Sequence, residues 1–287
     1  MFVKRANSIT GSFKTLIVNA DDFGLTHSIN QGIIKCFNDG IVTSASILPN
    51  GRAFEEAVNL AKECNLNVGI HLTLMDGEPL SRSELVRSLI AKNNYFPGNY
   101  VDFSLRYFSK RILLNDIETE FRAQIEKFMD AGLEPRHVNG HNHVHIFPGI
   151  IDIVINLMKE YGIKFIRVPC TPVFSSFKRL SLNSIAKFFL VSFARAAMRK
   201  ISNRNLYTTD FFEGLFISGA LTKKNLHEVL EGINAGLTEL MCHPGYVDNE
   251  LLALYSWNYN WENELNALCD DEIKKKIESL GIKLAGF

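Results

Sequence analysis

Two adjacent carboxylates end an apolar run near the start of this chain. Thr15-Leu16-Ile17-Val18-Asn19-Ala20 is followed at once by Asp21, Asp22, Phe23 and Gly24. The run reads as a buried strand that stops in paired acids. Neighbouring carboxylates repel and are costly to desolvate, so a fold that places two at a strand end needs a cation or a shared proton there. Partners for a cation lie further along the chain. His71 follows Val68-Gly69-Ile70, and His137, His141, His143 and His145 form a cluster, so five of the 8 histidines fall in two strand-like segments. The competing reading of Asp21-Asp22 is a helix N-cap and turn, where Asp is common.

Composition narrows the classes of function. The 287 residues suffice for one large α/β domain or two modest ones. With 31 basic and 31 acidic residues the formal charge is zero, which excludes an electrostatic case for nucleic acid. Cys36, Cys64, Cys170, Cys242 and Cys269 are scattered and never spaced as Cys-x-x-Cys, a pattern of reduced thiols in a cytosolic protein. Lys4 and Arg5 precede no apolar stretch of the secretory type. No apolar run approaches the ~20 residues of a spanning helix.

Strand-like and helix-like stretches alternate. Strands are expected at 15–20, 41–48, 67–74, 137–140, 164–168, 238–242 and 282–285. Helices are expected at 27–38, 53–63, 116–129 and from Pro148 to 161, with a last helix before the final strand. Roughly seven such units predict a parallel β/α arrangement, a distorted TIM-like barrel rather than an open doubly wound sheet. No glycine-rich dinucleotide or phosphate loop favours the open sheet. Asp21, Asp22, His71, His141 and His243 all sit at predicted strand C-termini, where such folds assemble their sites. Residues 172–205 interrupt the rhythm and read as a helical insertion. Within it, Ile185, Phe188, Phe189, Ser192, Phe193 and Ala196 share one helical face, with Lys187, Arg195, Arg199 and Lys200 mostly elsewhere. This helix reads either as a lid over the barrel mouth or as an interfacial helix on a membrane.

One carboxylate and two imidazoles with open positions suit a divalent ion that binds water and substrate. Such an ion acidifies water and polarises a carbonyl, while a free carboxylate beside it accepts a proton. His71 taken alone is more often a core histidine than a ligand. In an extended chain His141, His143 and His145 would point to one side, and one or two would reach a metal. His243, before Pro244-Gly245, reads equally as a general acid or a turn histidine. Arg167 reads as a residue that orients a carboxylate or as a surface cation.

Asn19-Ala20-Asp21-Asp22-Phe23-Gly24 resembles the opening signature of the YdjC-like (ChbG/HpnK) carbohydrate deacetylases. Gly40-Ile41-Val42-Thr43-Ser44, Gly69-Ile70-His71-Leu72-Thr73-Leu74, the stretch from His137 to His145 and Cys242-His243-Pro244-Gly245 resemble the family in the same order. The resemblance covers nearly the whole chain and implies a single deacetylase domain over 1–287. It implies a β/α-barrel hydrolase that removes acetyl groups from N-acetylated sugars with one divalent metal, Mg2+ or Zn2+. Asp22, His71 and His141 match its metal ligands, Asp21 its catalytic base and His243 its general acid. Arg167, Asn139 and His143 are the expected substrate or supporting contacts. Many members carry Asp where this chain has Asn139. The Asn-Gly-His-Asn-His form resembles the hopanoid-associated branch.

The expected reaction releases acetate and a free amino sugar from an oligosaccharide or glycolipid. The alternatives are a glycosidase that uses the aspartate pair, and a non-catalytic metal- or sugar-binding barrel. Adjacent residues suit the first poorly, since glycosidase carboxylates flank the sugar from ~5 Å or more apart. The expected location is cytoplasmic, with peripheral contact at the inner membrane face and a homodimer both left open.

Overall fold

The computed structural model describes residues 13–91, 93–170 and 183–287. Its elements run β1 (Lys14–Phe23), α1 (His27–Asn38), β2 (Ser44–Ile47), α2 (Phe54–Cys64), β3 (Val68–Leu72), α3 (Tyr100–Phe108), α4 (Leu114–Asp130), β4 (His137–Gly140) and α5 (Ile150–Glu160). They continue with β5 (Phe165–Ile166), α6 (Asn183–Ser202), β6 (Phe211–Glu213), α7 (Lys223–Glu231), β7 (Gly236–Cys242), α8 (Asn249–Leu254), α9 (Trp261–Leu268), α10 (Asp271–Ser279) and β8 (Ile282–Leu284).

The strands form one sheet in the order β5-β4-β3-β2-β1-β7-β6, with β8 paired to the start of β1. Every pairing is parallel. Phe165 bridges Tyr207, just ahead of β6, so the two ends of the sheet approach each other. The curled sheet with helices around it is the distorted β/α barrel expected from the alternation. Apolar positions such as Val18, Ala20, Ile47, Ile70, Val138 and Leu240 are buried in the main core cluster. The alternate positions Asn19, Asp21, Ser46, His71, His137, Asn139 and Glu239 bond one another or Arg167 within the sheet's concave side. The two-residue period of the pleat produces this division.

The helix expected at 27–38 is α1, capped by Thr26, whose side chain accepts from Ile29 N–H. Five elements escaped the pattern. β6 is too short to show a period, α3 and α7 lie in stretches that the alternation left unassigned, and three helices, α8 to α10, stand where one was expected. Residues 171–182 of the expected insertion lie outside the described residues, as do the side chains of Ile185, Lys187 and Phe188. The remainder of the insertion is helical, but its buried stripe is Leu190, Val191, Ala194, Ala197, Met198 and Ile201. Phe189 is 56% exposed and Ser192 and Ala196 are exposed, so the predicted face is rotated by about one position. Phe193 packs on Phe108 and Phe147. Among the described residues, no helix is long and apolar enough to cross a membrane.

Candidate active site

The site is built at the C-terminal ends of β1, β3, β4 and β7. Consecutive strand residues face opposite sides, so two adjacent aspartates could not ordinarily share a site. Here β1 bulges against β2 between Ala20 and Phe23, and Asp22 takes φ 65°. That left-handed turn is costly for a residue with a side chain. It brings both carboxylates to the same end of the barrel, each with different partners.

Asp22 Oδ1 lies 3.1 Å from His141 Nδ1 and 3.4 Å from His71 Nε2. Ligand atoms from the three buried side chains all lie within 4.8 Å of one another. Tetrahedral bonds of about 2.0–2.2 Å have edges of about 3.3 Å, so the spacing fits one divalent ion. Asp22 Oδ2 is buried with no hydrogen-bond partner among the described residues, as expected of an oxygen reserved for a ligand. His71 directs its other nitrogen to Asn139 Oδ1 at 2.7 Å, which places the proton on Nδ1 and leaves Nε2 free to coordinate. Burial opposes charge on His141, but Asp22 and then Asp76 raise its pKa to about 10. A metal ion would displace that proton. Burial likewise opposes ionisation of Asp22, yet His141 and His71 hold its carboxyl well below the usual range.

Asp21 belongs to a second buried network. Arg167 grips it bidentately, with Nη2 at 2.7 Å from Oδ1 and Nη1 on Oδ2, and sends Nε to Glu239 Oε1 at 2.7 Å. Asn19 and Asn139 also donate to Asp21 Oδ1, at 2.9 and 3.2 Å. Oδ1 is therefore saturated, and Oδ2 is the less encumbered oxygen. Burial pushes the Asp21 carboxyl up, but Arg167 above all holds it far below its ordinary value. The surface-cation reading of Arg167 is excluded, because its side chain is fully buried. Ser46 Oγ receives Asn19 and Asn139 at 2.8 and 2.7 Å and meets His137 Nε2 at 2.9 Å. Its one proton therefore goes to His137, whose pKa is lowered by burial and then by Arg167.

The histidine cluster is not an extended strand. Residues His141–Ile146 form a 3-10 segment in which Asn142 and His143 adopt left-handed φ of 49° and 57°. Of the three histidines expected on one side, His141 and His143 line one cavity and His145 does not. His143 sits edge-on to Phe212 beside the site, and burial holds it neutral. His145 bonds the backbone carbonyl of Arg167 at 2.9 Å.

His243 follows β7. Its backbone N–H donates to Glu264 Oε2 at 2.6 Å, and its ring packs on Tyr259. A cavity of about 390 Å³ is lined by Asp21, His71, His141, His143 and His243 together. A second cavity of about 360 Å³ opens on the other side of His141, beside Asp76, Arg52 and Trp257. Sequence reasoning missed the residues that seat these groups: Asn19, Ser46, Asp76, Glu239 and Glu264. It also missed the alternating aromatics Tyr255, Trp257, Tyr259 and Trp261, whose rings touch in series at 4.6–5.8 Å. Trp257 packs on His141 at 5.0 Å. That alternation was the available signal.

A parallel β/α barrel with a carboxylate–imidazole cluster at its strand ends, beside an Arg-clamped aspartate and a histidine, has the layout of a hydrolytic enzyme centre. Residues 15–279 match the model of the YdjC-like protein family. The chain is 34% identical over 275 residues to a carbohydrate deacetylase of Clostridium beijerinckii, covering 95% of this chain and 98% of the relative. It is 34% identical over 290 residues to a carbohydrate deacetylase of Mus musculus, covering 95% and 93%. The crystal structure of an Enterococcus faecalis protein provisionally assigned to cellobiose-phosphate cleavage superposes with a TM-score of 0.76, at 28% identity and 96% and 98% coverage. The chain belongs to the YdjC-like family.

Proposed function

We propose that this chain hydrolyses the N-acetyl amide of an amino sugar, giving acetate and the free amine. The observation that carries the reading is one cavity lined by Asp21, His243, His71 and His141, the last two of which also share a donor cluster with Asp22. The carbohydrate deacetylases to which the chain is similar support the substrate class.

Asp22, His71 and His141 would hold a divalent ion, whose positive charge would acidify water and polarise the acetyl carbonyl. Two nitrogens and one oxygen favour zinc over magnesium, which prefers oxygen. Asp21 Oδ2 takes the proton of the attacking water, while Arg167, Asn19 and Asn139 fix its orientation. A carboxylate held this acidic is a weak resting base. His243 gives a proton to the departing amine. Its backbone is anchored by Glu264, and Tyr259 limits the ring's rotation. Trp257 and Tyr255, beside the second cavity, offer flat faces for a neighbouring sugar ring.

The glycosidase alternative loses ground on chemistry. It needs one carboxyl kept protonated, and here both aspartates are held far below the usual range. The finer reading is a lipid-linked amino sugar. Val101 lines the first cavity at 63% exposure, and Leu105 and Phe108 continue an exposed apolar strip along α3. The Asn139 form of the motif agrees with that choice.

The test is acetate release from N-acetylglucosamine oligosaccharides and from a lipid-linked N-acetyl amino sugar, with and without a chelator. Asp21→Asn should lower kcat by ~10²–10⁴-fold with metal content retained. Release that is insensitive to chelation, or an Asp21→Asn enzyme at full rate, would remove the assignment.

A further inference from the structure

Outside the active site, two cysteines that are far apart in sequence meet. Cys36 lies in α1 and Cys269 caps the C-terminus of α9. Their sulfurs are 3.6 Å apart. Cys36 is fully buried and also contacts the Leu265 carbonyl at 3.7 Å, while Cys269 is partly exposed. One sulfur is thus reachable from solvent, and the second is reachable only from the first.

We propose that Cys36 and Cys269 form a redox-active dithiol that low-molecular-weight disulfides oxidise to an intramolecular disulfide. Contact with Cys36, above all, and then the nearby Lys35 and Lys274 ammonium groups favour the Cys269 thiolate, while the same contact, and after it burial, raise the Cys36 thiol. Cys269 is accordingly the attacking sulfur.

The chemistry balances in two exchanges. Cys269 thiolate attacks one sulfur of glutathione disulfide, forming a mixed disulfide and releasing one glutathione thiolate. Cys36 then loses its proton to solvent and attacks the Cys269 sulfur, displacing the second glutathione. The protein loses two electrons, and one disulfide becomes two thiols. The sulfurs have to close from 3.6 Å to ~2.05 Å. Cys269 stands just beyond the last turn of α9.

The location gives the bond a consequence. α9 carries Glu264, which anchors His243, and Leu265, which Cys36 touches. α1 carries Gly32, where a Cβ would lie 2.4 Å from Gly245 Cα, so the turn after His243 rests directly on this helix. A Cys36–Cys269 bond would tie together the two helices that seat the His243 turn.

The test uses the full chain, incubated with excess glutathione disulfide, unfolded in urea with an alkylating reagent present so that every free thiol is blocked, digested and mapped by mass spectrometry without reduction. The expected product is a Cys36–Cys269 cross-linked peptide, with Cys64, Cys170 and Cys242 alkylated. It should revert with dithiothreitol. In Cys36→Ser the reaction should stop at a glutathione adduct on Cys269, and in Cys269→Ser Cys36 should stay unreacted. The oxidised wild type should also melt at higher temperature than the reduced form. A stable glutathione adduct on wild-type Cys269, or both sulfurs alkylated after exposure, overturns the proposal. Should either serine variant fail to fold by circular dichroism, the wild-type peptide map decides alone.

Discussion

Replacing Arg167 with Lys keeps a positive charge in the barrel but removes the fork that holds Asp21 and Glu239 together. The guanidinium makes three charge-assisted bonds, two to Asp21 and one to Glu239. One ammonium on a shorter reach satisfies one of the two carboxylates, so about two such bonds are lost, each worth roughly 1.5–3 kcal/mol. An expected loss of about 3–5 kcal/mol agrees with the usual cost of breaking a buried pair. It is a large fraction of the ~5–15 kcal/mol that holds a typical protein folded. The assay is urea unfolding with chelator present in all samples, so that metal binding does not add to stability. The midpoint should fall by roughly 1–2 M. The pH dependence follows from the depressed carboxyl of Asp21. Such a group contributes stability above its unfolded pKa of ~3.9, and that contribution is lost as pH falls through the folded value. The deficit of Arg167→Lys should therefore be largest near pH 7 and shrink in acid. Turnover should fall as well, because Asp21 keeps only Asn19 and Asn139 as donors. A variant within about 1 kcal/mol of wild type at pH 7 with normal turnover would refute the idea that this fork organises the site.

Glu213, at the end of β6, has its carboxyl pushed up to about 7 by burial. A raised carboxyl costs stability as pH climbs from the unfolded value through the folded one, so Glu213→Gln should gain about 1–3 kcal/mol at pH 8 and little at pH 5; equal gains at both would contradict it. Asn139→Ala removes the acceptor for His71 and should weaken metal binding ~10–100-fold by titration calorimetry, with unchanged affinity as the adverse result. His243→Ala should slow hydrolysis of an N-acetyl sugar much more than that of an aryl acetate, whose leaving group needs no proton; equal losses would strip His243 of the acid role. If the exposed apolar strip of α3 meets lipid, the protein should float with anionic vesicles and Leu105→Asp should abolish flotation, while a wild type that stays in solution at low salt leaves only a soluble substrate.

The strand ends were legible because each combines a short apolar run with an abrupt polar stop. Val18 and Ala20 face the helices while Asn19 and Asp21 turn inward, and the same two-residue period recurs in Gly69-Ile70-His71 and His137-Val138-Asn139. The polar stops pointed to the candidate residues, while the alternation marks which strand residues face inward. The contents of the inner face were less visible. Glu239 sits inside Thr238-Glu239-Leu240-Met241, an otherwise apolar strand, and nothing local says that its partner is Arg167, 72 residues away. The contact between Cys36 and Cys269, 233 residues apart, is equally silent in the sequence.

Backbone conformation set the other limit. A period of two would send Asp21 and Asp22 to opposite faces and His141, His143 and His145 to the same one. The structure departs from both, bringing Asp22 beside His71 and His141 through a left-handed turn and sending His145 away from His141 and His143 through a 3-10 segment with left-handed Asn142 and His143. Each conformation costs on the order of 1–3 kcal/mol for a residue with a side chain. Local and long-range bonds hold these turns. Leu25 N–H donates to the Asp22 carbonyl within the turn itself, while Leu48 N–H donates to the Phe23 carbonyl and His145 to the Arg167 carbonyl from distant segments. The sequence around Asp22 therefore contains only part of the reason for its conformation. The left-handed turn at Asp22 is thus what sets its carboxylate beside His71 and His141, where the three buried side chains bring nitrogen and oxygen donors together.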